Sequence, residues 1–384
     1  MNLSPHLYRK NAPSGLDGAV VERAIKLTSE QRARGVEPIL TLNHLAALSG
    51  TSGNYLHAVV DRQVDGYDLF NIRKRASGRR RSIAVPHPEL AKVQKWLLTD
   101  VFSKVTVHSD CFSYRHGISI KDCASRHLHA EWMLKVDLSD FFHQIDERHV
   151  FGVASSLYEP LVAFEVSRIV TRQPHVGQPW LPKKYLRTVH QIPTKSSYPY
   201  KRSEKIGYLP QGASTSGYIS NLVAKPLDTA LSSIAAALEL TYTRYSDDLA
   251  FSSARVLSRS QGLDVLREVA RMVGKTGFHI NESKTRFSTR ANGLNLLGLT
   301  VDGESLRLQR HLRTRIEFHV SGVERFGANA HSIHCGFRDV LGMSHHILGL
   351  LAYASHIEPA KASIWRARLD ASRDALLFGA PLAE

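Results

Sequence analysis

Cysteine is scarce: Cys111, Cys123 and Cys335 are the only three in 384 residues. They are scattered with no metal-like spacing, which argues against a disulfide framework or a zinc ribbon and fits a reducing compartment. Long apolar runs are missing too. No window approaches the roughly 18 uninterrupted apolar residues of a spanning helix, and the start "MNLSPHLYRKN" lacks the apolar centre of a signal peptide. The expectation is a cytoplasmic protein with no membrane partner. Acidic residues are outnumbered, 35 Asp plus Glu against 50 Lys plus Arg, leaving a net charge of +15. That surplus favours a polyanionic partner, nucleic acid before membrane, because no basic amphipathic helix dominates. Internal repeats and biased tracts are absent as well.

What is present reads as a two- or three-lobed soluble protein. Apolar residues at three- and four-residue spacing predict helices over 17–65. The pair around Gly50 matches a helix-turn-helix, but two short helices joined by Gly are common in any helical lobe. Residues 71–96 carry eight Lys or Arg and one Glu. "FNIRKR" and "RRSIAV" predict a hairpin turning at Ser77-Gly78, and "PELAKVQKWLL" opens a helix. Residues 130–145 predict a strand ending near Asp137 that runs into a helix. Residues 171–207 hold five prolines, eight Lys or Arg and one Glu, with Trp180, Tyr185, Tyr198 and Tyr200 interleaved. This composition predicts a long loop or insertion, suited either to single-stranded nucleic acid or to a private surface role. Next come a helix with Ile219, Leu222, Val223 and Leu227 on one face, kinked at Pro226, a hairpin over 241–253, a helix over 260–274 and short strands. The last eighty residues read as helical and basic.

Carboxylates at strand ends carry the chemistry. Asp137 closes a strand, and Asp247 and Asp248 sit side by side at a hairpin tip in "YTRYSDDLAFS". If both elements share a sheet, three carboxylates meet, at a cost unless a cation neutralises them. Mg²⁺ is the natural cation, since it takes oxygen ligands and leaves sites for substrate phosphates. Two such ions are the machinery of in-line phosphoryl displacement. Taken alone, the Asp-Asp pair reads first as an exposed acidic turn.

The order of motifs decides between these readings. "KVDLSDFF", "YLPQGASTSGYISNL", "YTRYSDDLAFS", "GFHINESKTRF" and "LNLLGLTVDG" follow one another and resemble motifs A to E of the reverse transcriptase palm. Upstream, "IRKRASGRRRSIAVPHPELAKVQKWLL" and "SYRHGISIKDCASRHL" resemble the finger motifs of bacterial, retron-type reverse transcriptases, and "HHILGLLAYASHI" resembles their thumb helix. The resemblance implies an α+β right-hand polymerase: an N-terminal helical segment at 1–70, fingers and palm at 71–300 with the insertion 171–207, and a helical thumb at 301–384. It implies that Asp137, Asp247 and Asp248 hold two Mg²⁺ and that Lys284 donates a proton to departing pyrophosphate. Phe142 falls at the steric gate against a ribose 2′-hydroxyl. Asp140 and Phe141 offer backbone amides to the triphosphate, Arg81 clamps it with Lys74 as a further candidate, and Gln211 and Gly212 meet the incoming nucleotide. Tyr245 would pack under the primer end. His127, Lys183, Lys184 and Arg187 are candidates for RNA contact, with a buried structural role open for His127.

Two departures from the retron pattern stand out. Asn-Ala-x-x-His becomes Cys123-Ala124-Ser125-Arg126-His127, and Val-Thr-Gly becomes Leu296-Leu297-Gly298. The implied function is RNA-templated DNA synthesis from dNTPs on a structured non-coding RNA. The RNA–DNA hybrid product would serve antiphage defence through a separate effector protein. A defence-associated enzyme with untemplated or differently primed synthesis, and a non-catalytic RNA-binding scaffold or antitoxin, are the alternatives.

Overall fold

A strand buried on both faces can join two cores, and "WMLKVD" does so. The computed structural model describes residues 9–73, 80–173 and 206–379, apart from residues 11 and 14. In chain order its strands are β1 (Tyr67–Arg73), β2 (Arg80–Pro86), β3 (Trp132–Asp137), β4 (Thr241–Tyr245), β5 (Asp248–Ser253), β6 (Arg286–Thr289), β7 (Asn295–Leu296), β8 (Leu299–Thr300) and β9 (Arg307–Leu308). The central antiparallel sheet runs β4-β5-β3-β6, beside the hairpin β1-β2 and the small sheet β7-β8-β9.

Side chains alternate across a strand, so Trp132, Leu134 and Val136 enter one core with Leu249 and Phe251. Met133 and Ala250 enter a second. The first core also takes Leu45 and Leu56 from the N-terminal helices and Leu90 and Leu97 from the helix Pro88–Asp100. The second is closed by Leu294, Leu299 and the C-terminal helices Arg310–Phe326, Ala328–His334, Val340–Ile357 and Pro359–Asp370. Among the described residues no helix is long and apolar enough to cross a membrane.

Most predicted elements form, with instructive differences. The expected kink at Pro226 is instead a break between the helices Ser216–Val223 and Lys225–Ala237. Proline in a first turn forfeits no intrahelical bond, so the ring starts a second helix rather than bending one. The tip of the β1–β2 hairpin, with Lys74, lies outside the described residues, as do Lys183, Lys184 and Arg187. The described residues that flank those three in sequence pair with each other. Arg172 and Tyr208 exchange two backbone hydrogen bonds of 2.9 Å, and Arg172 Nη2 donates to Asp65 at 2.6 Å. Arg62 braces the same region, bonding Glu147 Oε2 at 2.5 Å and the carbonyls of Arg168 and Thr171.

Beneath the β4–β5 turn lies a polar network. Arg244 and Asp228 are fully buried, and the guanidinium makes two bonds of 2.7 Å to the carboxylate. Tyr242 donates a third bond to Asp228 at 2.9 Å. The remaining guanidinium nitrogen reaches Asn221 Oδ1 and the Ser246 carbonyl, both at 3.1 Å. Removing one partner leaves a buried charge without its counter-ion, which costs about 3–5 kcal/mol. Asp228→Ala should therefore lower unfolding stability by that amount in urea denaturation; a loss under about 1 kcal/mol would contradict the network's role.

Candidate functional site

The register of β3 against β5 sets the site. Asp137 is the direct partner of Asp248, and the ladder continues one step, with Leu138 N donating to Asp247 O at 2.8 Å. Directly opposed side chains have Cβ atoms about 4.5–5.5 Å apart, where like charges are unfavourable. Only Ser246 and Asp247 connect the two strands. Ser246 takes a positive φ of 59°, a strain held by its carbonyl on Arg244 and its N–H on Ser113 Oγ at 2.8 Å. Ser113 in turn accepts Asn221 Nδ2 on its carbonyl at 2.7 Å.

The electrostatics follow from this packing. Desolvation, then the charges of Asp247 and Asp137, push the carboxyl of Asp248 up to about 6. Desolvation is also the main cause that raises Asp247, with Asp137 adding to it. Asp137 itself is buried and held from two sides. Lys284 Nζ forms an ion pair with its Oδ1, and Asn281 Nδ2 donates to Oδ2 at 3.0 Å. Partial burial opposes the charge on Lys284, but its bond to Asp137 prevails and holds it protonated above its usual range. Asn281 also donates its backbone N–H to the Asp137 carbonyl at 2.7 Å. Among the described residues, the group of three metal-ligating side chains whose ligand atoms all lie within 4.8 Å of one another is elsewhere. At the aspartates the cation is Lys284, paired with Asp137. Their chemistry fits hard divalent ions: three carboxylates at one end of the two central strands, two of them raised by desolvation and by neighbouring negative charge.

A cleft of about 300 Å³ opens beside them, lined by Ile83, Tyr114, Phe142, Gln211, Gly212 and Tyr218 among others. Phe142 thus shares a wall with Gln211 and Gly212. Tyr114 meets the Phe142 ring edge-on at 6.1 Å, and its hydroxyl bonds Ser246 Oγ at 3.0 Å, joining cleft to turn. Gly212 has φ +121°, and a Cβ there would lie 2.5 Å from the Ala84 carbonyl. The close approach it permits is to β2, where Ala84 N donates to Gln211 O at 2.7 Å. Arg81 lies on that strand opposite Ile72; its side chain is outside the described residues. Phe141 is buried with its ring 5.4 Å from that of Phe278, so its backbone is what it can present. Asp140 is exposed, in a left-handed conformation ahead of Phe141. Tyr245 is half-buried at the end of β4, paired with Asp248.

Of the two roles left open for His127, the structure favours the buried one. His127 is fully buried, with Nδ1 2.7 Å from Ser252 Oγ and Nε2 2.7 Å from Thr243 Oγ1. Burial lowers its imidazole to about 3, so it ties two neighbouring strands as a neutral ring and has no surface for RNA contact. Tyr114, Asn281 and Arg244 were not singled out from sequence. All three sit inside the quoted motifs, Tyr114 in "SYRHGISIKDCASRHL", Arg244 in "YTRYSDDLAFS" and Asn281 in "GFHINESKTRF", which was the available signal.

The raised carboxyl of Asp248 has a consequence for stability. Its folded value lies above the ordinary 3.8, so ionising it opposes folding, with the penalty building between about pH 4 and 6 and complete above. In metal-free protein, Asp248→Asn should raise the melting temperature at pH 8 and lose that advantage below about pH 4. Equal melting at pH 8 would contradict the crowding of these charges.

Residues 72–301 match the reverse transcriptase (RNA-dependent DNA polymerase) family. The chain is 29% identical over 373 residues to the Retron Mx162 reverse transcriptase of Myxococcus xanthus, covering 92% of this chain and 71% of that protein. It is 30% identical over 323 residues to the Retron Mx65 reverse transcriptase of the same organism, covering 83% and 68%. Against the Retron Ec86 reverse transcriptase of Escherichia coli it is 26% identical over 293 residues, covering 76% and 77%. The match implies the right-hand polymerase fold, and reverse transcriptases use divalent metal ions. The motif order, the paired aspartates at the ends of the two central strands and this extent of similarity make the chain a divergent retron-type member of the reverse transcriptase family, an RNA-directed DNA polymerase.

Proposed function

We propose that this enzyme synthesises DNA on a structured non-coding RNA that it binds as template and primer, and that the RNA–DNA hybrid serves antiphage defence with a separate effector protein. The observation that carries the reading is the pairing of Asp137 with Asp248 beside a cleft lined by Phe142 and Gln211. In this reading the hairpin β1-β2 belongs to the fingers, the central sheet to the palm and the C-terminal helices to the thumb, and the net charge of +15 serves the phosphates of template and product.

Asp137, Asp247 and Asp248 would hold two Mg²⁺, whose chemistry when bound is to neutralise the attacking and leaving oxygens of an in-line displacement. The reaction joins the primer hydroxyl to the α-phosphate of a dNTP and releases pyrophosphate. Lys284, protonated and beside Asp137, is placed to give its proton to that leaving group. Gln211 and the backbone around Asp140 and Phe141 position the nucleotide, and Arg81 with Lys74 reaches its phosphates. Phe142 puts a ring into the cleft, where a 2′-hydroxyl would collide with it. Tyr245 supports the primer end. Lys183, Lys184 and Arg187 contribute positive charge toward RNA.

Purified protein, with the nucleic acid that accompanies it, Mg²⁺ and dNTPs, should make DNA complementary to a bound RNA. Asp247→Asn plus Asp248→Asn should abolish that product. Sequenced product with no complement in the bound RNA would overturn templated synthesis, and product unchanged in the double variant would overturn the assignment of the aspartates. Phe142→Ala should raise ribonucleotide incorporation relative to deoxyribonucleotide by at least about tenfold, the scale of a pocket steric contact. Unchanged sugar discrimination in primer extension would remove Phe142 from the gate.

A further inference from the structure

The C-terminal helices hold a second cluster of ligand-type side chains that polymerase chemistry does not use. His319 lies on the helix Arg310–Phe326, His331 on the helix Ala328–His334, and Cys335 caps that second helix. His331 and Cys335 are four residues apart, so helical geometry stacks them on one face. The two helices pack so that all three point inward. His319 Nδ1 is 3.0 Å from His331 Nε2, and Cys335 Sγ is 3.5 Å from the same nitrogen. All three ligand atoms lie within 4.8 Å of one another.

The two spacings to His331, 3.0 and 3.5 Å, are close to those of a particular ion's coordination shell. Tetrahedral zinc with Zn–N near 2.0–2.1 Å and Zn–S near 2.3 Å has N···N edges of about 3.3 Å and N···S edges of about 3.6 Å. Two imidazole nitrogens and a thiolate are the borderline-soft set that zinc takes and that magnesium, which prefers oxygen, does not. Both histidines are buried, with Cys335 partly so.

A second, independent feature reserves the space. Gly322 sits inside the helix Arg310–Phe326, where glycine costs roughly 1 kcal/mol relative to alanine. A Cβ at that position would lie 2.2 Å from His331 Nδ1. The helix therefore accepts a poor helix former where the His331 ring passes against its backbone. Phe318 covers the cluster, its ring centroid 5.3 Å from that of His319 and 5.2 Å from that of His331.

We propose that His319, His331 and Cys335 form a zinc site that clamps the helix Ala328–His334 onto the helix Arg310–Phe326. Three protein ligands leave the fourth position to water. The Cys335 thiol gives up its proton on binding and ligates as thiolate. The clamp fixes one wall of a groove of about 830 Å³ that both helices line, with Phe318, Arg325, His331 and His334 among its residues. The site is separate from the aspartates and does not depend on the reaction proposed above.

The test uses the full chain, stripped with chelator and dialysed, then titrated with Zn²⁺ and, as spectroscopic probe, Co²⁺. One equivalent of Zn²⁺ per chain should remain after dialysis against Mg²⁺ buffer, and Co²⁺ should give a thiolate charge-transfer band. Cys335→Ser should lose the band and weaken Zn²⁺ binding by more than about tenfold, while Cys111→Ser plus Cys123→Ser should change neither. Gly322→Ala, which keeps all three ligands but displaces the His331 ring, should also weaken binding. Circular dichroism of the metal-free variants should match the metal-free parent, separating ligand loss from misfolding. Absence of retained Zn²⁺ and of the band in the parent chain would overturn the proposal, as would full binding by Cys335→Ser or loss of the band only in the Cys111/Cys123 variant.

Discussion

The site rests on a repulsion. Antiparallel pairing sets Asp137 opposite Asp248, and a two-residue turn adds Asp247 beside them. Nothing in strand propensity favours this arrangement; like charges directly opposed across a sheet destabilise it. Desolvation and, after it, this repulsion displace the carboxyl of Asp248 upward to about 6. A pocket that resists ionisation when bare is one that gains from a divalent cation, so the same crowding that burdens the fold creates affinity for the ion. Lys284 partly occupies that role at Asp137.

Such a turn keeps its shape because a stronger interaction lies under it. The buried Arg244–Asp228 pair spends one guanidinium edge on the carboxylate and turns its other nitrogen to Asn221 and the Ser246 carbonyl. The turn is thereby fixed to the helices on either side of Ala224. Tyr114 continues the connection outward, from Ser246 to the ring of Phe142. The aspartate turn and the cleft are in this way two ends of one hydrogen-bonded and aromatic framework.

Much of this was legible in the sequence, for reasons that differ by residue. The strand ending at Asp137 and the hairpin around Asp247 and Asp248 announce themselves by short apolar runs on either side of a polar turn, and the order of motifs supplied their chemistry. Arg244 stands in the same hairpin motif, but nothing there marks it as buried or names its partner. Arginine is rarely buried without a partner, and its partner Asp228 lies on another element, so only the fold reveals the pair. His127 shows the converse: its motif pointed toward RNA, while its environment, sealed between Ser252 and Thr243, belongs to the sheet. The scattered cysteines likewise concealed the His319–His331–Cys335 cluster, because two of its ligands are histidines and one comes from a separate helix. Pro226 was read as a kink because nothing local marks Ala224 as the end of one helix and Lys225 as the start of the next.

The central claim is that Asp137 and the turn aspartates share a divalent ion during synthesis. Its most direct measurement is Mn²⁺ binding, followed by electron paramagnetic resonance of the free ion, to the full chain carrying bound RNA, a non-extendable primer end and dNTP. The account predicts saturable binding by the parent chain that Asp137→Asn largely removes. Equal Mn²⁺ binding by both proteins would contradict it.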